Sequence, residues 1–126
     1  MEFNERQPIW LQIYEWICER ILSGQWPEGE RIPSVRECSA TLQVNPNTAM
    51  RAYEKLQNER FVYNTRGIGH FVAEGARQRI REEQRRRFIE EELPALGARM
   101  RRLGITPAEF TEFYNLYQLR NDENQQ

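Results

Sequence analysis

Apolar residues recur along this chain at helical spacing in several separate stretches, with two short extended runs set between them. In the first stretch Ile9, Ile13, Ile17 and Ile21 fall every four residues, and Trp10 and Leu22 widen the stripe. That spacing predicts an amphipathic helix, opened by Pro8 and closed by Gly24. Its Trp, Tyr and Ile content points to core packing rather than to a ligand site. Residues 1–7 are polar and are expected to fray. Gln25 to Arg31 reads as a turn-rich link punctuated by Pro27 and Gly29, with Trp26 expected to plug the bundle.

Two short helices are predicted next. Ser34 and Glu37 form an S-x-x-E capping box, in which the hydroxyl takes one orphan amide and the carboxylate reaches back to the cap amide. Val35, Cys38 and Leu42 then share one face. Gln43 and Val44 make a tight connection. Asn45 is a good N-cap, and Pro46 sits at the first helical position, where its missing N–H is no loss. In the second helix Ala49, Tyr53 and Leu56 fall on one side, and Asn47, Thr48, Arg51 and Lys55 on the other. That outer side is expected to carry no acid. Amide, hydroxyl, guanidinium and ammonium groups are those that read base edges and hold phosphates. Taken alone, such a face is the ordinary exterior of a small domain.

The following residues add weight. Phe61–Tyr63 and His70–Val72 read as short strands, with Arg66-Gly67-Ile68-Gly69 between them. The glycines permit the positive φ of a turn and a close approach of backbone to another molecule. A helix-turn-helix followed by a two-stranded wing describes a winged-helix DNA-binding domain. The expected fold class is mainly α with a small β wing (α+β).

Gly24-x-Trp26-Pro27-x-Gly29-x-Arg31-Ile32-Pro33-Ser34-x-Arg36-Glu37 resembles the signature of the GntR family of bacterial transcription regulators. So does the later run through Asn47-Thr48, Arg51-Ala52-Tyr53, Leu56, Gly67, Gly69 and Phe71-Val72, and the resemblance spans roughly residues 8–74. Val44-Asn45-Pro46-Asn47-Thr48-x-x-Arg51-Ala52-Tyr53 is closer to the YtrA-type and MocR-type branches. Pro46 stands where another branch has an arginine, so that arginine's base contact does not carry over. The resemblance implies that the first helix packs behind the reading helices, and it assigns the arginine matched by Arg36 to DNA contact. Near a helix N-terminus, that guanidinium would meet a phosphate together with backbone amides and the helix dipole.

On this reading Asn47, Thr48 and Arg51 address bases. Arg36, Lys55 and the caps at Ser34 and Asn45 position phosphates, and Arg66, Gly67 and Gly69 form the wing contact. Arg31 and His70 join the DNA candidates on weaker grounds, since a hydrogen-bonded strand residue is the plainer account of His70. Glu37 is a cap, not a catalytic acid.

Beyond residues 73–78 the composition turns to helix formers and charge. From Ile89 the apolar residues Leu93, Leu96, Met100 and Leu103 step by four and three, a short heptad seam, with Phe88 beside it. Pro94 falls inside this pattern and should kink or interrupt it. Gly104 stops it, and Thr106-Pro107-Ala108-Glu109 restarts a helix striped by Phe110, Phe113, Tyr114 and Tyr117. The tail from Asn121 to Gln126 is expected to be disordered. Helices with this much apolar stripe form no core alone, so they fold back on the first helix or pair with a second chain. YtrA-type members resemble this plan, a winged helix followed by a short helical dimerisation segment. A homodimer is therefore expected, with a DNA-binding domain at 1–75 and a dimerisation region at 76–126. The latter is expected to be too short for the effector domains of larger GntR branches, and an aminotransferase-like domain of the MocR type is not expected.

Charge sharpens the picture. The 126 residues carry a net charge of −1, which counts against nucleic acid until its distribution is seen. Residues 31–72 hold six cations (Arg31, Arg36, Arg51, Lys55, Arg60, Arg66) against Glu37, Glu54 and Glu59, so the expected DNA face is locally basic. Binding should weaken steeply with salt. Arg85-Arg86-Arg87 reads more readily as a solvated helix face than as a DNA contact. No apolar run reaches membrane-span length and the N-terminus is no signal peptide, so a cytoplasmic protein is expected. Cys18 and Cys38 each lie in an apolar helical pattern, as reduced core thiols do. A single histidine gives no zinc spacing.

The leading expectation is thus a sequence-specific DNA-binding regulator, a dimeric repressor of its own operon that binds a palindrome. The resemblance adds membrane-transporter genes as targets. The alternative is a winged-helix protein–protein interaction module that does not bind DNA. Nothing supports an enzyme or a cofactor, because no nucleophile–base pair, metal cluster or phosphate loop is present. Whether an effector molecule binds between the C-terminal helices and the winged helix stays open.

Overall fold

The computed structural model describes residues 1–125. The chain runs α1 (Ile9–Leu22), α2 (Val35–Leu42), α3 (Pro46–Asn58), β1 (Val62–Thr65), β2 (Gly69–Val72), α4 (Ala76–Arg87), a π-helical turn (Phe88–Glu92), α5 (Leu93–Arg102) and α6 (Pro107–Gln125). It is mainly helical with one small antiparallel sheet among the described residues, the fold class expected. Two compact units divide it, Met1–Gln84 and the residues from Arg85 onward.

In the first unit, the four-residue spacing of isoleucines becomes the floor of the core. Ile13, Ile17 and Ile21 are buried against Ala52, Tyr53 and Leu56 of α3, with Phe61, Val62 and Val72 from the wing. Ile9, the first residue of the stripe, is exposed. Trp26 is half-buried and meets Trp16 edge-on, with ring centroids 5.7 Å apart. Residues 1–7, expected to fray, are held. Gln12 is buried, its Nε2 donates to the carbonyls of Asn4 and Gln7 at 2.9 Å, and its Oε1 accepts from the Asn4 amide at 3.0 Å. A buried amide must find partners, and here the N-terminal segment supplies them.

The wing is rooted more firmly than a two-stranded hairpin. β1 and β2 pair antiparallel from Val62↔Val72 to Thr65↔Gly69. The link before α2 runs along β2 as a third extended segment. The amides of Gly29 and Ile32 donate to Val72 and His70, and the Val72 amide donates to Glu30. The unit closes later than composition suggests, at Gln84 rather than near residue 75. Ala76 and Ile80 of α4 are fully buried members of the same core, two apolar residues hidden in a strongly charged stretch.

In the second unit Pro94 acts as expected, and the interruption takes a definite form. A proline ring clashes with the carbonyl four residues earlier, here Glu90, and the wider π-helical turn lies at that place. The heptad spacing crosses this turn, so Ile89 and Leu93 are not one ordinary α-turn apart. Before α6 the Glu109 amide donates to Thr106 Oγ1 at 3.1 Å. The Glu109 carboxylate, however, takes the Thr106 hydroxyl rather than the cap amide. α6 continues through Asn121–Gln125, where disorder was expected; Gln126 lies outside the described residues.

Candidate nucleic-acid interface

Caps and one buried hydroxyl set the two reading helices. At α2 the capping box is complete. The Glu37 amide donates to Ser34 Oγ at 3.0 Å, and the Ser34 amide donates to Glu37 Oε1 at 3.4 Å. At α3 the Asn47 amide donates to Asn45 Oδ1 at 2.8 Å, with Pro46 in the first turn. Between the helices Gln43 takes a left-handed conformation at φ 56°. Tyr53, fully buried in α3, donates its hydroxyl to the Pro33 carbonyl at 2.6 Å, which ties α3 to the start of α2. Burial pushes the Tyr53 phenol far above its ordinary value and raises the Cys38 thiol beside it. Cys18 and Cys38 are both buried outside any disulfide.

The first half of α3 presents Asn47, Met50 and Arg51 to solvent, with Thr48 half-buried. Arg36 on α2 is exposed, as are Arg66 and Gly67 at the wing. The second half of α3 differs from the sequence expectation of an acid-free face. Glu54 is exposed one helical turn from Arg51, and a cleft of about 300 Å³ there is lined by Trp10, Arg51, Glu54, Lys55, Asn58 and Glu59. Lys55, assigned to phosphate, is half-buried. Its ammonium lies 2.7 Å from Glu59 and 4.9 Å from the Tyr14 ring centre, and Tyr14 also donates its hydroxyl to Glu59. Both relations were legible as spacings: Glu54 follows Arg51 by three, and Glu59 follows Lys55 by four.

Arg51 is exposed but not loose. Its guanidinium carbon lies 4.4 Å from the ring centre of Trp10, on α1. Arg31 crosses the wing base. Its guanidinium lies 3.8 Å from Glu37 in an exposed pair, and a Cβ on Gly69 would come within 2.8 Å of Arg31 Nε. Gly69 has φ +145° and Gly67 φ +79°, so both turn positions need glycine. His70 does not reach the wing tip. It is half-buried and packs edge-on against Tyr53 with centroids 4.9 Å apart, and loss of solvent lowers its pKa. Sequence reasoning missed two exposed apolar side chains: Met50, 44 % exposed on α3, and Ile68, 60 % exposed at the wing tip. The signal was an apolar residue placed off the buried stripe.

In the second unit the residues assigned to dimerisation lie open. Phe88, Leu93, Leu96, Phe110 and Phe113 are exposed, as are Tyr114 (58 %), Tyr117 (62 %) and Leu103 (65 %). Met100 is half-buried. No group of metal-ligating residues occurs among the described residues, and no helix there is long and apolar enough to cross a membrane.

Comparison with known proteins agrees with this geometry. The family described as bacterial regulatory proteins, gntR family, matches residues 10–72. The uncharacterized HTH-type transcriptional regulator YhcF of Bacillus subtilis (strain 168) is 35% identical over 111 residues, 88% of this chain and 90% of that protein. The HTH-type transcriptional repressor YtrA of the same strain is 35% identical over 89 residues, 71% of this chain and 68% of that protein. A crystal structure of a GntR-family protein from Bacteroides thetaiotaomicron superposes with a TM-score of 0.79 at 42% identity, over 90% of this chain and 98% of that one. With its capped helix pair, its laced wing and these likenesses, the chain belongs to the GntR family of bacterial regulatory proteins.

Proposed function

We propose that this protein is a dimeric, operator-specific transcription repressor of the YtrA type. DNA-binding transcription regulation follows from its family; the remainder of the reading rests on its own surface. The observation that carries it is the N-terminal half of α3. Asn47, Met50 and Arg51 stand open there with no acid among them, on a helix fixed to α2 by Tyr53. Asn47 and Arg51 supply hydrogen bonds for base edges, and Met50 offers the apolar surface that suits a thymine methyl. Arg36, beside the amides of the capped α2 N-terminus, holds phosphate, and Arg66 with Ile68 forms the wing contact. Lys55 is held by Glu59 and contributes less than its position suggests.

Dimerisation falls to the exposed apolar side chains of α5 and α6, which need a covering surface. Two-fold symmetry then places two α3 helices on half-sites about one helical turn apart, so the operator is a palindrome. The protein acts in the cytoplasm, where its DNA lies, and its own upstream region is the first operator to examine. The relative YtrA, named as a repressor, supports repression over activation.

The experiment is anisotropy titration of the full chain against its own upstream duplex and a random duplex at two salt concentrations. Tighter binding to the upstream duplex, steeply weakened by salt, is expected. Arg51→Ala should weaken that binding by about 5- to 150-fold, the range of one bidentate base contact. Salt-insensitive behaviour with no preference between duplexes would overturn the reading in favour of a protein-binding module.

A further inference from the structure

We propose that Trp10, on α1 and outside the helix-turn-helix, is a positioning residue that holds Arg51 ready for DNA. The inference deepens the DNA-binding reading and rests on it. Trp10 lies under the Arg51 guanidinium, 4.4 Å from ring centre to Cζ. The kind of contact matters. A guanidinium carries its N–H donors in its plane, so a ring against its flat face leaves the donor edges open. A carboxylate partner would occupy those edges. Among the described residues Arg51 has no such ion pair, although Glu54 and Glu59 line the same cleft.

Lys55, one helical turn further along, shows the contrast. Its ammonium is already donated to Glu59 at 2.7 Å. One cation of α3 is therefore seated over a ring with no carboxylate on its donors, and the other is held through its donors. An arginine side chain has much rotamer freedom to lose on binding. Stacking on Trp10 removes part of that loss before DNA arrives, which is how pre-ordering strengthens a complex.

The test is a double-mutant cycle on the full chain, with a duplex that the unaltered protein enriches from a random-sequence pool. Trp10→Leu should weaken binding by about two- to fivefold, the scale of an exposed cation–π contact. Trp10→Phe, which keeps an aromatic face, should restore most of it. In an Arg51→Ala background, Trp10→Leu should have no further effect. Thermal melting of each variant separates lost binding from lost fold. If Trp10→Leu does not fold, the cycle is read with Trp10→Phe, whose weaker ring should still lower affinity only when Arg51 is present. Equal binding by all Trp10 variants overturns the proposal, and so does a loss that persists without Arg51. Failure of the unaltered protein to enrich any duplex would instead remove the DNA-binding reading beneath it.

Discussion

Tyr53→Phe probes how the two reading helices are held together. The substitution keeps the buried ring and removes only the hydroxyl, so it opens no appreciable cavity. Lost are the 2.6 Å bond to the Pro33 carbonyl and the contact with the Cys38 thiol. A neutral hydrogen bond is worth a net of about 0.5–1.5 kcal/mol, and more where the abandoned partner stays dry. Pro33 is half-buried, and a loss of about 1–1.5 kcal/mol is expected. With a urea slope of about 1–3 kcal/mol per molar, the midpoint should fall by about 0.3–1.5 M. The slope itself should not change, because the buried surface is the same. DNA binding should weaken as well, since Pro33 precedes the Ser34 cap and sets where Arg36 stands. An unaltered urea midpoint would refute the assignment of this hydroxyl as the tie between α2 and α3.

Three further outcomes are expected. Gly69→Ala, at φ +145° and against Arg31, should lower stability by about 1–2 kcal/mol from backbone strain, read by urea denaturation, and should weaken DNA binding through the wing. His70 has a lowered pKa from loss of solvent, so as pH falls below about 6.5 the unfolded chain takes the proton before the folded one. Stability from this group is present above that pH and lost below it; comparing melting at pH 7.5 and 5.5 (about one unit either side of the imidazole value) should show a smaller drop for His70→Gln. Leu103→Glu, placed on the most exposed of the assigned dimer residues, should shift the chain toward monomer in analytical ultracentrifugation without unfolding the first unit.

Signals that act over a few residues were readable in the sequence. Ser34 with Glu37, Asn45 with Pro46, and the two wing glycines each specify local geometry, and each does so in the structure. What escaped notice depended on distant partners. Nothing in the spacing around Arg51 announces Trp10, forty-one positions earlier. Ala76 and Ile80 belong to the first unit's core, yet they sit among so many charges that the change in composition outweighed them. The polar N-terminus looked frayed because its partner, Gln12, is a single amide on an otherwise apolar face. Lys55 with Glu59, and Glu54 on the outer side, were visible as spacings and were passed over in favour of a simpler division of α3 into two faces.

The extended segment that laces the wing to the link before α2 has a consequence for how target preference could change. With its root bonded on both sides and Gly67 kept for its positive φ, the hairpin keeps its posture whatever occupies positions 66 and 68. Those two positions are then open to replacement, and paralogues could diverge in which promoters they occupy by altering the tip alone while inheriting the same footing.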